Sequence, residues 1–580
     1  MLVYGDWARL ERVADKRDGI LEGLRSVRAM APGIDRHAAL VSVFLELGEL
    51  VQGLADAAFR ERGADAASPG ERAGMGALTA LARAIDSSWR SGFEELALAR
   101  TVGEALQSLD DGTVIETREA EGYAFYALYP ESYLEAARRS RLGPHTAVIG
   151  IRSIGTGLAA LVAAALGAPL PVTVRPFGHP FRREIRCVAA LQEALAADPD
   201  RDFAIVDEGP GLSGSSFGAV ADWLESRGVA PRRIHFFPSH AGDLGPQASE
   251  AHRARWSRAA RHWVSADDLL LNRGGLAHWV SGLVGDLDGP LEDVSGGGWR
   301  HRRYSREADW PAANIRQERR KFLARAGGVP WLVKFAGLGR AGEEKLLRAR
   351  RLSEAGFGPE VAGLRYGFLV ERWLEHAPSL DQVALERPLL LEAVGAYVGF
   401  RARALPAPGA RGATLAELAR MACHNAGQAL GPDPAAALTR QLARAQDLEG
   451  RVRRVVTDNR LHAREWLVCG SRLIKTDALD HAVTHDLVGC QDAAWDVAGA
   501  IAEFDLTAAE AALLCGAVQR HAGVPVDPDL LAFLDPCYLA FQLGAATLAA
   551  QAVGGPEAVR LEAEARRYGA RLRAVIAGAT

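Results

Sequence analysis

Between about residues 145 and 285, short apolar stretches alternate with segments of helical periodicity, and this alternation limits the folds that the chain can adopt. The apolar stretches read TAVIGI, PVTVRPF, DFAIVDE and RRIHFFPS. Short apolar strands separated by helices build a parallel sheet that is covered on both faces. The sequence therefore predicts an α/β unit in this part of the chain.

Length and charge indicate the class of protein and of partner. The 580 residues exceed what one hydrophobic core holds, and roughly two to four domains are expected for such a length. The formal net charge is −4 with both signs interspersed, which gives no footprint for general nucleic-acid binding. We therefore expect a small molecule or nucleotide as the substrate, and nucleic acid is disfavoured.

Three features predict the compartment. The cysteines are isolated from one another, so neither a zinc site nor a disulfide framework is expected. The first residues are charged early and lack the apolar region of a secretory signal. Residues 154–172 carry no charge and are long enough to span a bilayer, but their Ala and Gly content and flanking prolines favour strand, loop and buried helix. We expect a cytoplasmic protein that does not contact a membrane.

The stretch VDEGPGLSGSSF, residues 206–217, joins two acids to a loop of glycines and serines. Parallel sheets bind ligands beyond the carboxyl ends of their strands, and a helix N-terminus preceded by Gly and Ser binds anions. Because the acids can accept hydrogen bonds from hydroxyl groups, the loop fits a phosphorylated sugar. A serine-capped turn, or a nucleotide-binding loop of another α/β fold, is the alternative.

This combination resembles the phosphoribosyl-diphosphate-binding loop of type I phosphoribosyltransferases. The resemblance implies that Asp207 and Glu208 hold the ribose hydroxyls in a catalytic site. Four residues separate the acid pair from Ser213, where the family usually has three, and Pro210 is unusual. The residues that the resemblance assigns to the 5-phosphate are Ser213, Gly214, Ser215 and Ser216.

Two further segments extend the resemblance. VIGIRSIGTGL, residues 148–158, stands where the family has its diphosphate-binding loop, and RPFGHPFRRE, residues 175–184, stands where it has a mobile flap. The implied cofactor is magnesium, with phosphoribosyl diphosphate as co-substrate and the acceptor under a hood formed by the helical N-terminus or by EGYAFYALYPE. The implied diphosphate contacts come from Arg152, Ser153, Gly155 and Thr156, and the implied catalytic flap residues are Arg182 and Arg183.

The second half contains a strand WLVKFAG, a helical GEEKLLRARRLSEAG and a strand YGFLVERWLE, in that order. This order resembles the small lobe of the aminoglycoside phosphotransferase and protein kinase-like fold. The resemblance implies that Lys334 pairs with nucleotide phosphates, that Glu343 or Glu344 is its helix partner, and that Glu371 belongs to a hinge facing adenine. Only five lysines occur in the chain, so a lysine at this position is informative.

The expected catalytic region departs from that family. In VVTDNRLHAREW, residues 455–466, Arg460 stands at the usual catalytic aspartate and Glu465 at the metal-binding asparagine. An arginine cannot act as a general base, so Asp458 is the candidate substitute, while Glu465 and Asp477 would bind magnesium through oxygen ligands. A divergent kinase that uses Asp458, a nucleotide-binding pseudokinase and a module that recognises the acceptor all stay open.

Together these patterns predict an α/β protein with a helical N-terminal region (1–115), a phosphoribosyltransferase-like parallel-sheet domain (116–288), and a bilobal kinase-like α+β domain with a small lobe (289–375) and a helical large lobe (376–580). The expected function is phosphoribosyl transfer, or its reverse, between phosphoribosyl diphosphate and a small acceptor, coupled to a domain for which ATP is the candidate ligand. A non-catalytic protein that senses nucleotides or phosphoribosyl diphosphate is the alternative. A homodimer is compatible with the sequence.

Overall fold

The structure is a computed structural model that describes residues 1–5, 8–109, 112–198, 200–211, 213–245, 247–271, 274–407, 409 and 411–578. Its N-terminal region is helical, as predicted, and is closed by two antiparallel strands. These elements are β1 (Ala8–Arg12), α1 (Val13–Ala29), α2 (Ile34–Arg62), α3 (Pro69–Arg90), α4 (Thr101–Gln107) and β2 (Val114–Arg118). Two short helices follow, α5 (Glu121–Phe125) and α6 (Pro130–Arg139).

The predicted parallel sheet is confirmed, with strand order β4-β3-β7-β8-β9. Every residue of β3 and β7 is buried, because helices cover both faces of the sheet. The elements in chain order are β3 (Ala147–Ile151), α7 (Gly155–Leu166), β4 (Val172–Val174), β5 (Phe177–His179), β6 (Arg182–Glu184), α8 (Ala189–Ala196), β7 (Phe203–Val206), α9 (Ser215–Glu225), β8 (Ile234–Phe237), α10 (Glu250–Arg258), β9 (Ala260–Arg261), α11 (Ala266–Leu270) and α12 (Gly275–Val284).

A five-stranded antiparallel sheet with one long helix follows, in strand order β10-β11-β12-β14-β13. The predicted strand, helix and second strand correspond to β12, α14 and β14, and are confirmed. The elements are β10 (Glu292–Asp293), α13 (Arg300–Arg303), β11 (Lys321–Ala326), β12 (Val329–Phe335), α14 (Gly339–Glu354), β13 (Val361–Arg365) and β14 (Phe368–Arg372).

The remaining part is mainly helical and contains one β-hairpin, formed by β15 and β16. Its elements are α15 (Arg387–Ala404), α16 (Leu415–Leu430), α17 (Pro432–Gln441), α18 (Ala445–Glu449), β15 (Trp466–Cys469), β16 (Arg472–Lys475), α19 (Ala493–Glu503), α20 (Ala508–Ala522), α21 (Pro528–Ala552) and α22 (Gly555–Gly578).

Two helices, α2 and α21, are long and apolar enough to cross a membrane by length and composition alone. In their most apolar windows, 61% and 72% of the residues are buried inside the protein, as in the core helices of a folded chain. The uncharged stretch that the sequence singled out instead forms α7 and the turn after it. With 12 residues, α7 is too short to span a hydrocarbon layer.

One hydrophobic core extends across the predicted domain limits. It contains Phe44 of α2, Leu161 of α7 and Val333 of β12, so the N-terminal helices pack against both sheets. The division at residues 115, 288 and 375 stays a prediction.

A buried hydrogen-bond network joins the N-terminal helices to the antiparallel sheet. The Oε1 of Glu131, on α6, accepts a hydrogen bond from Tyr366 Oη (2.7 Å) and lies 2.8 Å from His37 Nε2. The other ring nitrogen of His37 lies 2.9 Å from Ser88 Oγ. Burial of an unpaired carboxylate is costly, so these contacts stabilise the packing of α6 and α2 against the turn between β13 and β14.

Tyr366→Phe removes one hydrogen bond to this buried carboxylate and leaves the ring in place. We expect the free energy of unfolding to fall by about 2 kcal/mol, the usual effect of losing a bond to a charged group. Tyr126→Phe is the matched control, because Tyr126 is 44% exposed and its hydroxyl lies 3.5 Å from His485 Nδ1. Urea denaturation followed by circular dichroism measures both variants, and equal losses would contradict a stabilising role for the network.

Candidate functional site

The acid pair Asp207–Glu208 lies at the switch point of the parallel sheet. The chain passes from β3 to β4 on one side, whereas β7, β8 and β9 extend on the other side. The loops after β3 and β7 therefore diverge and leave a crevice, which is where α/β sheets bind ligands. Asp207 and Glu208 follow β7 directly, Ser153 and Ile154 follow β3, and all four line one cavity of about 260 Å³.

Segments far apart in the sequence complete this acid-pair cavity. One wall consists of α5 and the residues just before it, which include the segment predicted to form the hood. The described residues of that wall are Arg118, Glu119, Ala120, Glu121 and Phe125. A third wall comes from the C-terminal half and consists of Arg411, Thr484 and His485. Sequence reasoning missed these three, since no local pattern marks a residue that reaches a site formed by another part of the chain.

Burial raises the pKa of both acids. The pKa of Asp207 rises to about 7, although the Glu208 amide donates a hydrogen bond to its Oδ1 (2.9 Å). Burial, followed by the neighbouring carboxylates of Asp207 and Glu121, raises the pKa of Glu208 to about 8. Near neutral pH the pair can therefore donate as well as accept hydrogen bonds.

α5 approaches Glu208 closely because it carries a glycine at position 122. A Cβ added to Gly122 would lie 2.7 Å from Glu208 Cδ, which is shorter than any ordinary contact. The glycine therefore lets the helix backbone lie directly against the carboxylate. The hydrogen bond from the Gly122 backbone lowers the pKa of Glu208 and partly offsets the effect of burial.

The loop after β3 requires a correction of the role predicted for Arg152. The guanidinium pairs with Asp65, and its Nε lies 3.1 Å from Asp56 Oδ1, so both partners come from the N-terminal helical region. The side chain is 1% exposed. Arg152 therefore ties the sheet to the helices and is not available to a diphosphate. Arg152 and Ser153 both line the cavity, whereas Gly155 and Thr156 begin α7 and do not.

The serine loop begins α9, as the resemblance implied. Gly214 has a φ of +63°, a left-handed conformation that favours glycine, and Ser215 and Ser216 form the first turn. The hydroxyls of Ser213 and Ser215 both donate hydrogen bonds to the carbonyl of Pro180, at 3.4 and 2.6 Å. A phosphate at this loop would have to replace that carbonyl.

The flap predicted between the two loops forms the β5–β6 hairpin, but its arginines are not where the resemblance put them. Arg182 is exposed and Arg183 donates a hydrogen bond to the carbonyl of Gly178 (3.5 Å) within the hairpin. Neither lines the acid-pair cavity, because the hairpin packs on α9 through Pro180. A catalytic role of Arg182 and Arg183 over the leaving group therefore needs correction in this structure.

Lys334 lies on β12, as predicted, and lines a cleft beside the antiparallel sheet. Its Nζ pairs with Asp477 and with Asp480 Oδ2 (3.1 Å). Glu344 is not its partner: this carboxylate is 38% exposed and lies 3.9 Å from Arg340 Nε, and Glu343 is exposed. The predicted lysine–glutamate pair is therefore wrong, because α14 directs another residue into the buried charge cluster around Asp480.

That residue is Lys345, which sequence reasoning missed. Its buried Nζ pairs with Asp480 Oδ1 (2.8 Å) and donates a hydrogen bond to the carbonyl of Ala336 (2.6 Å). It also donates to the carbonyl of Ala124 on α5, at 3.4 Å. Burial lowers the pKa of Lys345 to about 8, although Asp480 opposes this effect. The scarcity of lysine in the chain was the signal that could have identified it.

The cleft contains a cavity of about 140 Å³ between the antiparallel sheet and the β15–β16 hairpin. Its apolar lining includes Leu332, Trp373 and Leu467, and Lys334 lies at one side. Glu371, the predicted hinge residue, also lines it, and burial raises its pKa to about 7. An apolar slot with a few polar groups at its margin suits a flat ring that carries a charged extension.

Asp458 does not have the geometry of a general base. Its fully buried carboxylate accepts a hydrogen bond from Tyr397 and pairs with Lys475 Nζ (3.3 Å) and Arg401 Nη1 (3.5 Å). Burial would raise its pKa, but Lys475 and other positive groups hold it well below the usual range. It lines neither the cleft cavity nor the acid-pair cavity. The prediction that Asp458 replaces the missing catalytic aspartate is therefore wrong.

The metal site predicted at Glu465 and Asp477 also needs correction. Glu465 Oε2 lies 2.8 Å from Lys475 Nζ, and the carboxylate of Asp477 forms an ion pair with Lys334. Within the part of the chain that the structure describes, no group of three His, Cys, Asp or Glu side chains is placed to hold a metal ion. The carboxylate oxygens of Asp207 and Glu208 are ligands of the kind that magnesium prefers.

The cavities adjoin one another. A charged cavity of about 150 Å³ shares Lys334 and Asp477 with the cleft cavity, and shares Thr484 and His485 with the acid-pair cavity. Arg460 also lines it and pairs with Asp486 (3.2 Å). The residues at its two ends therefore connect the Lys334 cleft with the acid pair.

No protein-family model matches the chain, and a search of curated proteins finds no match. Among solved structures, choline kinase LicA from Streptococcus pneumoniae aligns with a TM-score of 0.30 at 15% identity and covers 44% of this chain and 89% of its own. A thermostable mutant of aminoglycoside phosphotransferase APH(4)-Ia gives 0.34 at 15% identity and covers 52% and 99%. An ethanolamine kinase from Plasmodium vivax gives 0.32 at 11% identity and covers 61% and 92%. TM-scores of 0.30 to 0.34 do not assign a function to this chain.

The raised pKa values of the acid pair predict a pH dependence of stability. A carboxyl whose pKa is higher in the folded chain favours folding while protonated, and this contribution is lost as pH rises from about 4.5 through 7 and 8. Asp207→Asn with Glu208→Gln should therefore gain stability relative to the wild type between pH 5 and pH 8.5, by about 1.4 kcal/mol per carboxyl for each unit of pH below its raised pKa. The exposed pair Asp198→Asn with Glu193→Gln is the control. Urea denaturation at both pH values measures the difference, and a gain equal to that of the control would contradict the burial argument.

Proposed function

We propose that the acid-pair cavity binds a phosphoribosyl ligand and that the chain transfers the phosphoribosyl group between phosphoribosyl diphosphate and a small acceptor, in either direction. The observation that carries the proposal is the position of Asp207 and Glu208 at the switch point of a parallel sheet, in one cavity with the loop after β3. A pair of carboxyls at such a point suits the two neighbouring hydroxyls of a ribose. The serine loop at the start of α9 would receive the 5-phosphate.

In this reaction the bond between ribose C1 and the diphosphate oxygen breaks, and a bond between C1 and the acceptor forms. The protein's contribution would be to position the two partners and to stabilise the positive charge that develops on the ribose ring. Asp207 and Glu208 would orient the ring through its hydroxyls. Magnesium, when bound with the substrate, would neutralise charge on the diphosphate. α5 and its flanking residues would cover the acceptor side and exclude water.

The C-terminal cleft supports a second proposal, nucleotide binding without phosphoryl transfer. The apolar cavity beside Lys334 suits a base with attached phosphates. Phosphoryl transfer needs a base for the acceptor and a metal site, whereas Arg460 and the buried Asp458 supply no base and Glu465 pairs with Lys475. ATP is the ligand that we propose for the cleft.

A chain that senses both ligands without turnover is the second candidate for the whole protein. It is favoured by the β5–β6 hairpin, which covers the serine hydroxyls and keeps Arg182 and Arg183 outside the cavity. Turnover of phosphoribosyl diphosphate separates the two candidates. The cytoplasm stays our proposed compartment, on the sequence features given above.

Phosphoribosyl diphosphate with magnesium should bind the wild-type chain. Asp207→Asn with Glu208→Gln should weaken this binding about tenfold or more, because each substitution replaces a carboxyl oxygen by an amide nitrogen that cannot accept a hydrogen bond from the ribose. Isothermal titration calorimetry at pH 7.5 measures the affinity. Asp198→Asn with Glu193→Gln should bind as the wild type does. If the wild type fails to bind, or if the acid-pair variant binds equally well, the phosphoribosyl proposal is wrong.

ATP should bind in the cleft, and Lys334→Met should weaken it about tenfold or more, since a charge-assisted contact with phosphate is lost. Adenosine should bind both forms alike, because it lacks phosphates. Glu344→Gln is the control, since its carboxylate is directed towards Arg340. Circular dichroism verifies folding, and calorimetry measures both ligands. Equal ATP affinity of Lys334→Met and the wild type would show that this lysine does not contact the phosphates.

A further inference from the structure

The positive groups that were predicted to face a diphosphate are either paired or outside the acid-pair cavity. Arg152 lines the cavity, but its guanidinium is paired with Asp56 and Asp65, and Arg182 and Arg183 lie on the hairpin outside the cavity. A diphosphate carries several negative charges and needs positive groups beyond backbone amides. Besides the magnesium that would accompany the ligand, a protein group other than these three would therefore have to contact the diphosphate.

The cavity has two other arginines among its described lining residues. Arg118 lies at the end of β2 and is 40% exposed, with its guanidinium 3.3 Å from Glu116 Oε1. Arg411 belongs to the segment between α15 and α16 and is only 17% exposed. The more buried arginine binds an anion more strongly, because fewer water molecules compete and screening is weaker.

The hydrogen bonds of Arg411 leave donor capacity for a ligand. Its Nη2 donates to Glu119 Oε2 (3.3 Å) and to the carbonyl of Val483 (2.8 Å). Its Nε is buried and has no hydrogen-bond partner among the described residues. An unpaired buried donor is costly, so a ligand atom at this point would satisfy a group that the protein leaves unmet. The Nε of Arg152 also has no hydrogen-bond partner among the described residues, but it lies 3.1 Å from the carboxylate of Asp56.

We infer that Arg411, supplied by the C-terminal half, binds the diphosphate of the ligand whose ribose lies on Asp207 and Glu208. This inference rests on the proposed phosphoribosyl function. Glu119 holds the guanidinium in place beside the cavity and competes with the diphosphate for it. The loop after β3 contributes Ser153 from the opposite module. The diphosphate subsite is therefore built from both halves of the chain, and the phosphoribosyl site is incomplete without the C-terminal half.

The test compares two ligands that differ in the diphosphate alone. With magnesium present, Arg411→Gln should weaken phosphoribosyl diphosphate about tenfold or more and leave ribose 5-phosphate within about twofold, because only the first ligand carries the contacted group. Arg411→Lys should recover part of the loss, since it restores charge without the planar fork. Arg420→Gln is the matched control, as this helix arginine is 68% exposed. Calorimetry on the full chain measures all affinities.

Glu119→Gln should change the affinity for phosphoribosyl diphosphate in the direction opposite to Arg411→Gln. Removal of the competing carboxylate should raise the affinity for phosphoribosyl diphosphate, and this variant decides the matter if Arg411→Gln does not fold. Equal affinity of Arg411→Gln and the wild type, equal loss for both ligands, or a Glu119→Gln affinity that is unchanged or lower overturns the inference. The affinity of Asp207→Asn with Glu208→Gln for phosphoribosyl diphosphate is measured beside these variants. If that affinity falls while Arg411→Gln binds as the wild type does, the phosphoribosyl site stands and only the role of Arg411 is wrong.

Discussion

Asp480 shares its buried carboxylate among three positive groups, and the geometry between the two candidate sites depends on this arrangement. Lys334 and Lys345 lie 3.1 and 2.8 Å from its oxygens, and Arg319 lies 3.9 Å away. Lys345 and Arg319 also donate hydrogen bonds to backbone carbonyls of α5, at Ala124 and Phe125. One carboxylate therefore connects the cleft with the helix that covers the acid pair. Loss of one partner in such a cluster leaves an uncompensated buried charge, which is strongly destabilising.

The same constraint explains the five lysines. Each makes an ion pair in the structure, and Lys16, Lys334, Lys345 and Lys475 are all buried. A compact ammonium on a flexible stem fits an enclosed site between two or three carboxylates, whereas a planar guanidinium needs more room. In an arginine-rich chain, the retained lysines therefore mark enclosed charge clusters, and Lys321, Lys334 and Lys475 line the cleft for which we propose a ligand.

Much of the fold could be predicted, because the patterns that indicate strands and helices are local. The alternation of buried strands and helices around β3 and β7 predicted the parallel sheet, and the Asp207–Glu208 pair predicted the crevice at its edge. The roles of Arg152, Glu344 and Asp458 could not be predicted. Asp56 and Asp65 attract Arg152 from the N-terminal helices, α14 turns Lys345 inwards in place of Glu344, and Lys475 and Arg401 enclose Asp458.

The sequence by itself determined many of the strands and helices and the glycine- and serine-rich loop at the start of α9, since each follows from the periodicity and residue types of a short segment. Only the tertiary structure decided which charged groups are available to a ligand. That decision depends on desolvation and on partners hundreds of positions away, as when Arg411 and His485 reach the cavity of Asp207 and Glu208. A buried charge is paired or its pKa shifts, and its partner becomes known only when the chain has folded.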